Sequence, residues 1–290
     1  NNTCLDSRYR GIEADGNILS NYIRNATSSY IYTSYGLQQI CNNNLYVDNT
    51  PNNVLIFQDS GQFCVIDNNF ISVTGSITGP LVAIKCEGWG TSISNNFIKY
   101  YDCQYAHIGI WGNSTDLKVN NNSVINKEET PLNVGSKAII LTDQINITAA
   151  GNYVNGFDTA FEVIDAGDIN VSGSMIYNTY VAFDISQSNS LTISSNTCSG
   201  TVNFIITTTD NYTKNISITN NVINMFNIGE CMKLRSCKYV TVVSNVINDP
   251  AGSGILLTTV SGTNYSINNT IDGNIIYHAG GGRWYFLQVK

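Results

Sequence analysis

The chain has 290 residues and 42% hydrophobic content, enough to bury a substantial core, yet only 12% of it is charged, about half the usual share for a soluble domain. A formal net charge of -7 and 14 scattered Lys and Arg exclude a phosphate-binding face, and with it a nucleic-acid partner. No run of 18 apolar residues offers a membrane span, and 41 Asn, 17 Tyr and only four Pro favour strands joined by tight polar turns over helices.

Residues 1–45 contain Tyr9, Tyr22, Tyr30, Tyr32 and Tyr35 and only a weak repeat, so they read as irregular first coils or a cap. The opening Asn1-Asn2-Thr3-Cys4 has no signal-peptide character, which for a secreted protein implies a processed chain. From residue 46 to 279, segments of the form apolar-x-apolar-x-x-Asn-x-apolar align under one another. The clearest copies are Ile93 to Ile98, Leu191 to Cys198, Ile216 to Ile223 and Val240 to Ile247. Marking each copy at its Asn position gives Asn69, Asn96, Asn122, Ala150, Ser174, Asn196, Asn221, Asn245 and Thr270, spaced 22 to 28 residues apart. The marker is expected at a sharp bend, adopting the left-handed backbone conformation and stacking into an amide ladder that Ala150, Ser174 and Thr270 interrupt.

Between markers lies a second repeated strand, such as Val82-Ala83-Ile84, Phe161-Glu162-Val163 and Phe183-Asp184-Ile185. Alternation sends Phe161, Val163, Phe183 and Ile185 inward and Glu162 and Asp184 outward, giving at least two strands per coil. The sequence lacks the Leu-x-x-Leu-x-Leu frame of leucine-rich repeats, and a propeller needs four strands in ~40 residues. The pattern predicts an all-β solenoid, a single-stranded parallel β-helix of about ten coils of ~25 residues, each rising ~4.8 Å. The coil motif resembles that of the right-handed β-helix superfamily of pectin lyases, polygalacturonases and phage tailspikes over about residues 50 to 277. The resemblance implies a right-handed coil, and it specifies fold better than function.

The tail, residues 280–290, carries Trp284-Tyr285-Phe286, expected to cap the last coil or dock another subunit. Of eight cysteines, Cys64 and Cys198 occupy inward slots and read as buried free thiols. Cys4 with Cys41, Cys86 with Cys103, and Cys231 with Cys237 are expected to form three disulfides. No Cys-x-x-Cys occurs and His107 and His278 are far apart, so no metal or other cofactor is expected.

Ten Asn-x-Ser/Thr sequons begin at Asn1, Asn25, Asn113, Asn121, Asn146, Asn170, Asn211, Asn215, Asn264 and Asn268. Asn146 and Asn170 fall on one outward face of adjacent coils, and Asn113, Asn211 and Asn264 in turns that accommodate a glycan. Polygalacturonases carry Asn-Thr-Asp, Asp-Asp, Gly-His-Gly and Arg-Ile-Lys on successive coils, and none of these is present. The closest approach to a lyase calcium site, Asp158, Glu162, Asp165 and Asp168, has no Arg between Arg24 and Arg235 and reads as exposed carboxylates. Nothing singles out Glu87, Asp102, Glu162 or Asp184 as a catalytic acid. Trp89 and Trp111 follow second strands of neighbouring coils and are candidates to stack on sugar rings, against the plainer reading that they pack on the adjacent coil.

These features point to an extracellular, glycosylated structural or adhesive rod, such as a virion tail fibre or spike or a surface filament subunit, that is not an enzyme. Its expected partners are other copies of itself, end to end or as a homo-oligomer, and a cell-surface glycan or receptor. The alternative is a polysaccharide lyase or hydrolase, or a carbohydrate-binding module, of the same superfamily.

Overall fold

The computed structural model describes residues 3–5, 11–25, 30–34, 36–48, 54–75, 81–101, 103, 106–127, 135–207, 213–225, 230–250, 252–258, 268–277 and 287–289. Alternating apolar residues demand strands with one buried face. These strands form three wholly parallel sheets of 12, 12 and 11 strands, here called A, B and C. Each strand pairs with those three before and three after it, so the chain passes through A, B and C and returns to A one coil higher. Ser92–Ser94 in sheet C, Phe97–Tyr101 in A and His107–Gly112 in B illustrate the order. The chain is a right-handed parallel β-helix with one strand of each sheet per coil, and no α-helix occurs among the described residues. Thr3–Leu5, Ile12–Glu13 and Asn17–Leu19 already belong to the three sheets, so the coil begins inside the Tyr-rich segment. At the other end Leu287–Val289 pairs with Ile255–Thr258, while Trp284, Tyr285 and Phe286 lie outside the described residues.

Parallel pairing stacks like upon like. In sheet A, Ile23, Leu45, Ile71, Ile98, Val124, Val154, Ile176, Cys198, Ile223 and Ile247 form one inward column, every member fully buried. Burying each such side chain contributes about 1.5–3 kcal/mol. In sheet B, Phe161 stacks on Phe183 with ring centroids 5.2 Å apart, and Phe183 meets Phe204 edge-on at 5.2 Å.

Two residues join each sheet C strand to the following sheet A strand, and the second is the ladder position. The column runs Asn21, Asn43, Asn69, Asn96, Asn122, Asn152, Ser174, Asn196, Asn221, Asn245 and Asn274. The Asn96 Oδ1 accepts hydrogen bonds from the Asn69 backbone N–H at 3.0 Å and the Asn69 Nδ2 at 2.9 Å, and Asn96 Nδ2 donates to Ile66 O at 2.9 Å. Every corner amide thus finds a partner inside a buried turn.

Two expectations change here. Asn152 and Asn274, rather than Ala150 and Thr270, hold the ladder, so among the described residues Ser174 is its one interruption. In the first case the inward residue paired with Val119 is the small Ala149, which hides the last apolar position; in the second it is Ile271, paired with Val242. Second, the left-handed residue is the one before the ladder: Ser20, Asn42, Asn68, Asn95, Asn121, Gly151, Gly173, Ser195, Asn220, Ser244 and Gly273 all have φ between 53° and 65°. This corner residue reverses the chain and leaves the next amide pointing along the axis.

Among the described residues no disulfide forms: Cys41, Cys64, Cys86, Cys103, Cys198, Cys231 and Cys237 all keep their thiols, and the side chain of Cys4 lies outside the described residues. The extended backbone is the reason. Cys231 and Cys237 bracket the strand Met232–Arg235, which separates them by on the order of 15 Å. Cys103 precedes His107, whose partner Leu81 lies five residues before Cys86, another ~17 Å of strand. Burial pushes the Cys64 thiol up to about 12 and the Cys237 thiol to about 11, the latter eased by its contact with Thr207, so neither is a thiolate at neutral pH.

Candidate functional site

The outward face of sheet B gathers the chain's chemically distinctive side chains. Its register stacks Tyr32, Phe57, Lys85, Trp111, Ile140, Glu162, Asp184, Ile206 and Lys233 in one column, one residue per coil. Period-2 alternation puts them on the outer side because Ile56, Ile84, Ile110, Ile139, Phe161 and Phe183 beside them fill the core, and of the column only Ile140 is itself buried.

The first half of the column is aromatic and cationic. Lys85 Nζ lies 5.1 Å from the Phe57 ring centroid and 4.7 Å from that of Trp111, and it forms an ion pair with Glu87. Tyr32 meets Phe57 edge-on at 5.5 Å and donates its hydroxyl to Asp59 Oδ2 at 3.0 Å. Trp111 Nε1 donates to Thr142 Oγ1 at 3.3 Å, which fixes the indole against the rod.

The second half is acidic. Glu162 and Asp184 are Cα partners on adjacent coils. Lys137 Nζ reaches both Glu162 oxygens, at 2.5 and 2.6 Å. Burial raises the Asp184 pKa above the usual carboxylate value, and Glu162 and Asp158 add repulsion that Lys137 partly offsets. Asp158 Oδ2 accepts the Gly135 N–H at 2.9 Å. The column therefore holds one carboxylate paired with a lysine beside a second, Asp184, whose pKa burial raises.

The sequence candidates separate in space. Trp111 belongs to this column; Trp89 lies at the B–C corner, bridged to Thr115 and packed edge-on to Phe63 at 4.7 Å, so the two indoles occupy different places around the coil. Glu87 joins the column through Lys85, and Asp102 is outside the described residues. Asp165 and Asp168 sit at left-handed positions of the B–C corner, away from Glu162, and no group of three or more His, Cys, Asp and Glu suited to a metal occurs among the described residues. The alternation already in the sequence placed Glu162 and Asp184 outward; Lys85 and Lys137 escaped notice because their roles depend on neighbours 25 or more residues away.

Four of the seven described sequons, at Asn146, Asn170, Asn215 and Asn268, lie in or just before sheet C strands. Asn170 is an exposed residue of the strand Gly167–Ser172, and its partner Thr148 is the hydroxyl residue of the Asn146 sequon. Asn146, Asn215 and Asn268 share one left-handed column at the B–C corner, all exposed. Asn121 and Asn25 are left-handed at the two corners flanking sheet A, and the side chain of Asn113 accepts from Gln144 Nε2 at 2.9 Å. Asn1, Asn211 and Asn264 lie outside the described residues.

No protein-family model matches the sequence, and no curated protein is significantly similar to it. Solved structures do match. The mannuronan C-5 epimerase AlgE4 A-module of Azotobacter vinelandii aligns with a TM-score of 0.45 and 11% identity, covering 93% of this chain and 90% of its own. The Dettilon tailspike protein aligns at 0.42 and 10%, covering 96% and 61%. A mutant tailspike of E. coli bacteriophage HK620, in complex with a pentasaccharide, aligns at 0.37 and 10%, covering 95% and 70%. They share its coil and little of its sequence.

Proposed function

We propose that this chain is an extracellular, N-glycosylated surface rod that binds a polysaccharide along the outer face of sheet B. The observation that carries the reading is the column Tyr32, Phe57, Lys85 and Trp111, flanked by Asp59 and Glu87. Rings supply stacking faces, and the charged groups supply donors and acceptors for hydroxyls. The ~4.8 Å rise per coil is comparable with a pyranose ring, so a glycan chain lying along the axis meets one side chain of the column per sugar. In this reading glycans on Asn146, Asn170, Asn215 and Asn268 cover the sheet C side and leave sheet B open. The setting is a virion or cell surface.

The test is titration calorimetry of the purified protein with a panel of neutral and acidic polysaccharides. A ligand whose affinity falls tenfold or more in Trp111→Ala, with the β-sheet circular dichroism unchanged, supports the reading. No binding by any member of the panel, or equal binding by wild type and Trp111→Ala, would sink it.

The pairing of Glu162 with Asp184 favours a second reading, cleavage of the bound polysaccharide. Asp184 would be the proton donor and Glu162, paired with Lys137, the base or nucleophile. Release of reducing ends or unsaturated products by wild type and not by Asp184→Asn decides for it; no release by wild type decides against.

A further inference from the structure

We infer that the exposed ring of Tyr239 is the seat of the N-glycan carried by Asn215, an inference that rests on the N-glycosylated reading proposed above. At the B–C corner one left-handed residue per coil forms a column. Gly90, Asp116, Asn146, Asp168, Ser190 and Asn215 hold it in successive coils, Tyr239 and Asn268 follow, and φ stays between 51° and 68° throughout. Glycine, Asn and Asp accept this conformation readily, whereas a bulky aromatic residue adopts it only with backbone strain. Phe63, one coil before Gly90 with φ 52°, and Tyr239, with φ 57°, are the aromatic members of the column.

The two differ in what they touch. Phe63 packs edge-on against Trp89, so its ring has a neighbour within the protein. Tyr239 is 49% exposed, and among the described residues its ring meets no other ring or cation and its hydroxyl makes no hydrogen bond. A strained residue with no such contact points to one outside the polypeptide. The register supplies the occupant. Lys214 pairs with Lys238 and Ile216 with Val240, which sets Tyr239 directly opposite Asn215, the first residue of the sequon Asn215-Ile216-Ser217. Asn215 is exposed, and its Nδ2, the atom a glycan joins, makes no hydrogen bond among the described residues. A sugar on Asn215 therefore starts ~4.8 Å along the axis from the phenol, close to the separation at which rings pack, and its C–H face meets the electron-rich face of the ring. Asn268 borders Tyr239 from the other side but precedes its strand, Thr270–Asp272. Asn170 is the internal contrast, with Thr148 and Thr192 as its neighbours along the axis and no ring beside it.

The test uses the full chain secreted by a yeast that attaches high-mannose N-glycans. An endoglycosidase that cuts between the first two sugars is added, and the trimming rate at each sequon is read by glycopeptide mass spectrometry. A sugar packed on the ring is shielded, so Tyr239→Ser is expected to speed trimming at Asn215 at least threefold and to leave Asn170 unchanged. Tyr239→Phe, which keeps the ring, is expected to trim as wild type does. If circular dichroism shows Tyr239→Ser to be misfolded, Tyr239→Gly, which the left-handed backbone accepts most readily, is measured instead. Equal rates at Asn215 in wild type and the folded variant overturn the seat and leave the glycosylated reading standing, as does acceleration confined to Asn268 or shared equally with Asn170. A chain without sugar at any sequon overturns both. None of these results bears on the polysaccharide titration with Trp111→Ala.

Discussion

Asn96 is completely enclosed and its side chain satisfies groups on three coils at once. Asn96→Ala leaves the Asn69 N–H and Nδ2 facing an apolar methyl, and unpaired buried amides cost about 1–3 kcal/mol, so urea unfolding is expected at a lower midpoint with unchanged slope. Ser174 allows the reverse test. Its Oγ accepts the Asn152 N–H at 3.3 Å but leaves the amide chain broken, and Ser174→Asn is expected to add about 0.5–1.5 kcal/mol in the same assay. Asp184 gives a pH signature. Its folded pKa is raised, so between the ordinary carboxylate value and that raised value the folded protein binds the extra proton and stability falls as pH rises. Asp184→Asn is therefore expected to melt higher than wild type at neutral pH, the gap closing at pH below the ordinary carboxylate range.

At the scale of the strand, close approach between coils sets the tolerances. A Cβ on Gly109 would sit 2.4 Å from Val124 Cγ1 and 2.5 Å from Ala138 O, so Gly109→Ala must push two strands apart. Phe183 fills the centre of its stack, and Phe183→Ala is expected to cost about 3–5 kcal/mol in urea unfolding. The strands themselves were legible because period-2 alternation and parallel pairing repeat one message in every coil: Phe161 over Phe183, Ile98 over Val124. The ladder was half legible. Ala150 misled because the inward residue of its strand shrinks to Ala149, and Thr270 because the inward place there belongs to Ile271, three residues before Asn274. The thiols misled for a related reason. Closeness in sequence, as between Cys231 and Cys237, means distance along a strand, and proximity in a coil belongs to residues about 25 apart.

For the whole molecule, the fold was readable from the repeat, whereas the candidate site was readable only as its members. Glu162 and Asp184 could be placed outward from alternation, but the contacts that make a site of the column, Lys85 against Trp111 and Lys137 against Glu162, join separate coils. Two sides of the rod then divide the work proposed for it: B toward a ligand, C toward solvent and glycan. Glycopeptide mapping is expected to find sugar on Asn146, Asn170, Asn215 and Asn268; a naked protein from its native source would remove the shielding of sheet C while leaving the sheet B test intact.

The C–A corner holds two residues in every coil, from Ser20-Asn21 to Gly273-Asn274, while the spans from A to B and from B to C vary. That constant corner works as a gauge. A duplicated coil, inserted so that a left-handed residue and an Asn fall at its close, would extend the rod by ~4.8 Å and leave its cross-section unaltered. Added sequence at the variable corners would instead decorate the edge of the rod without disturbing the column beneath. Reach and ornament are thus tuned by separate kinds of mutation, and a chain of this design can change how far it extends from a surface without redesigning what it presents there.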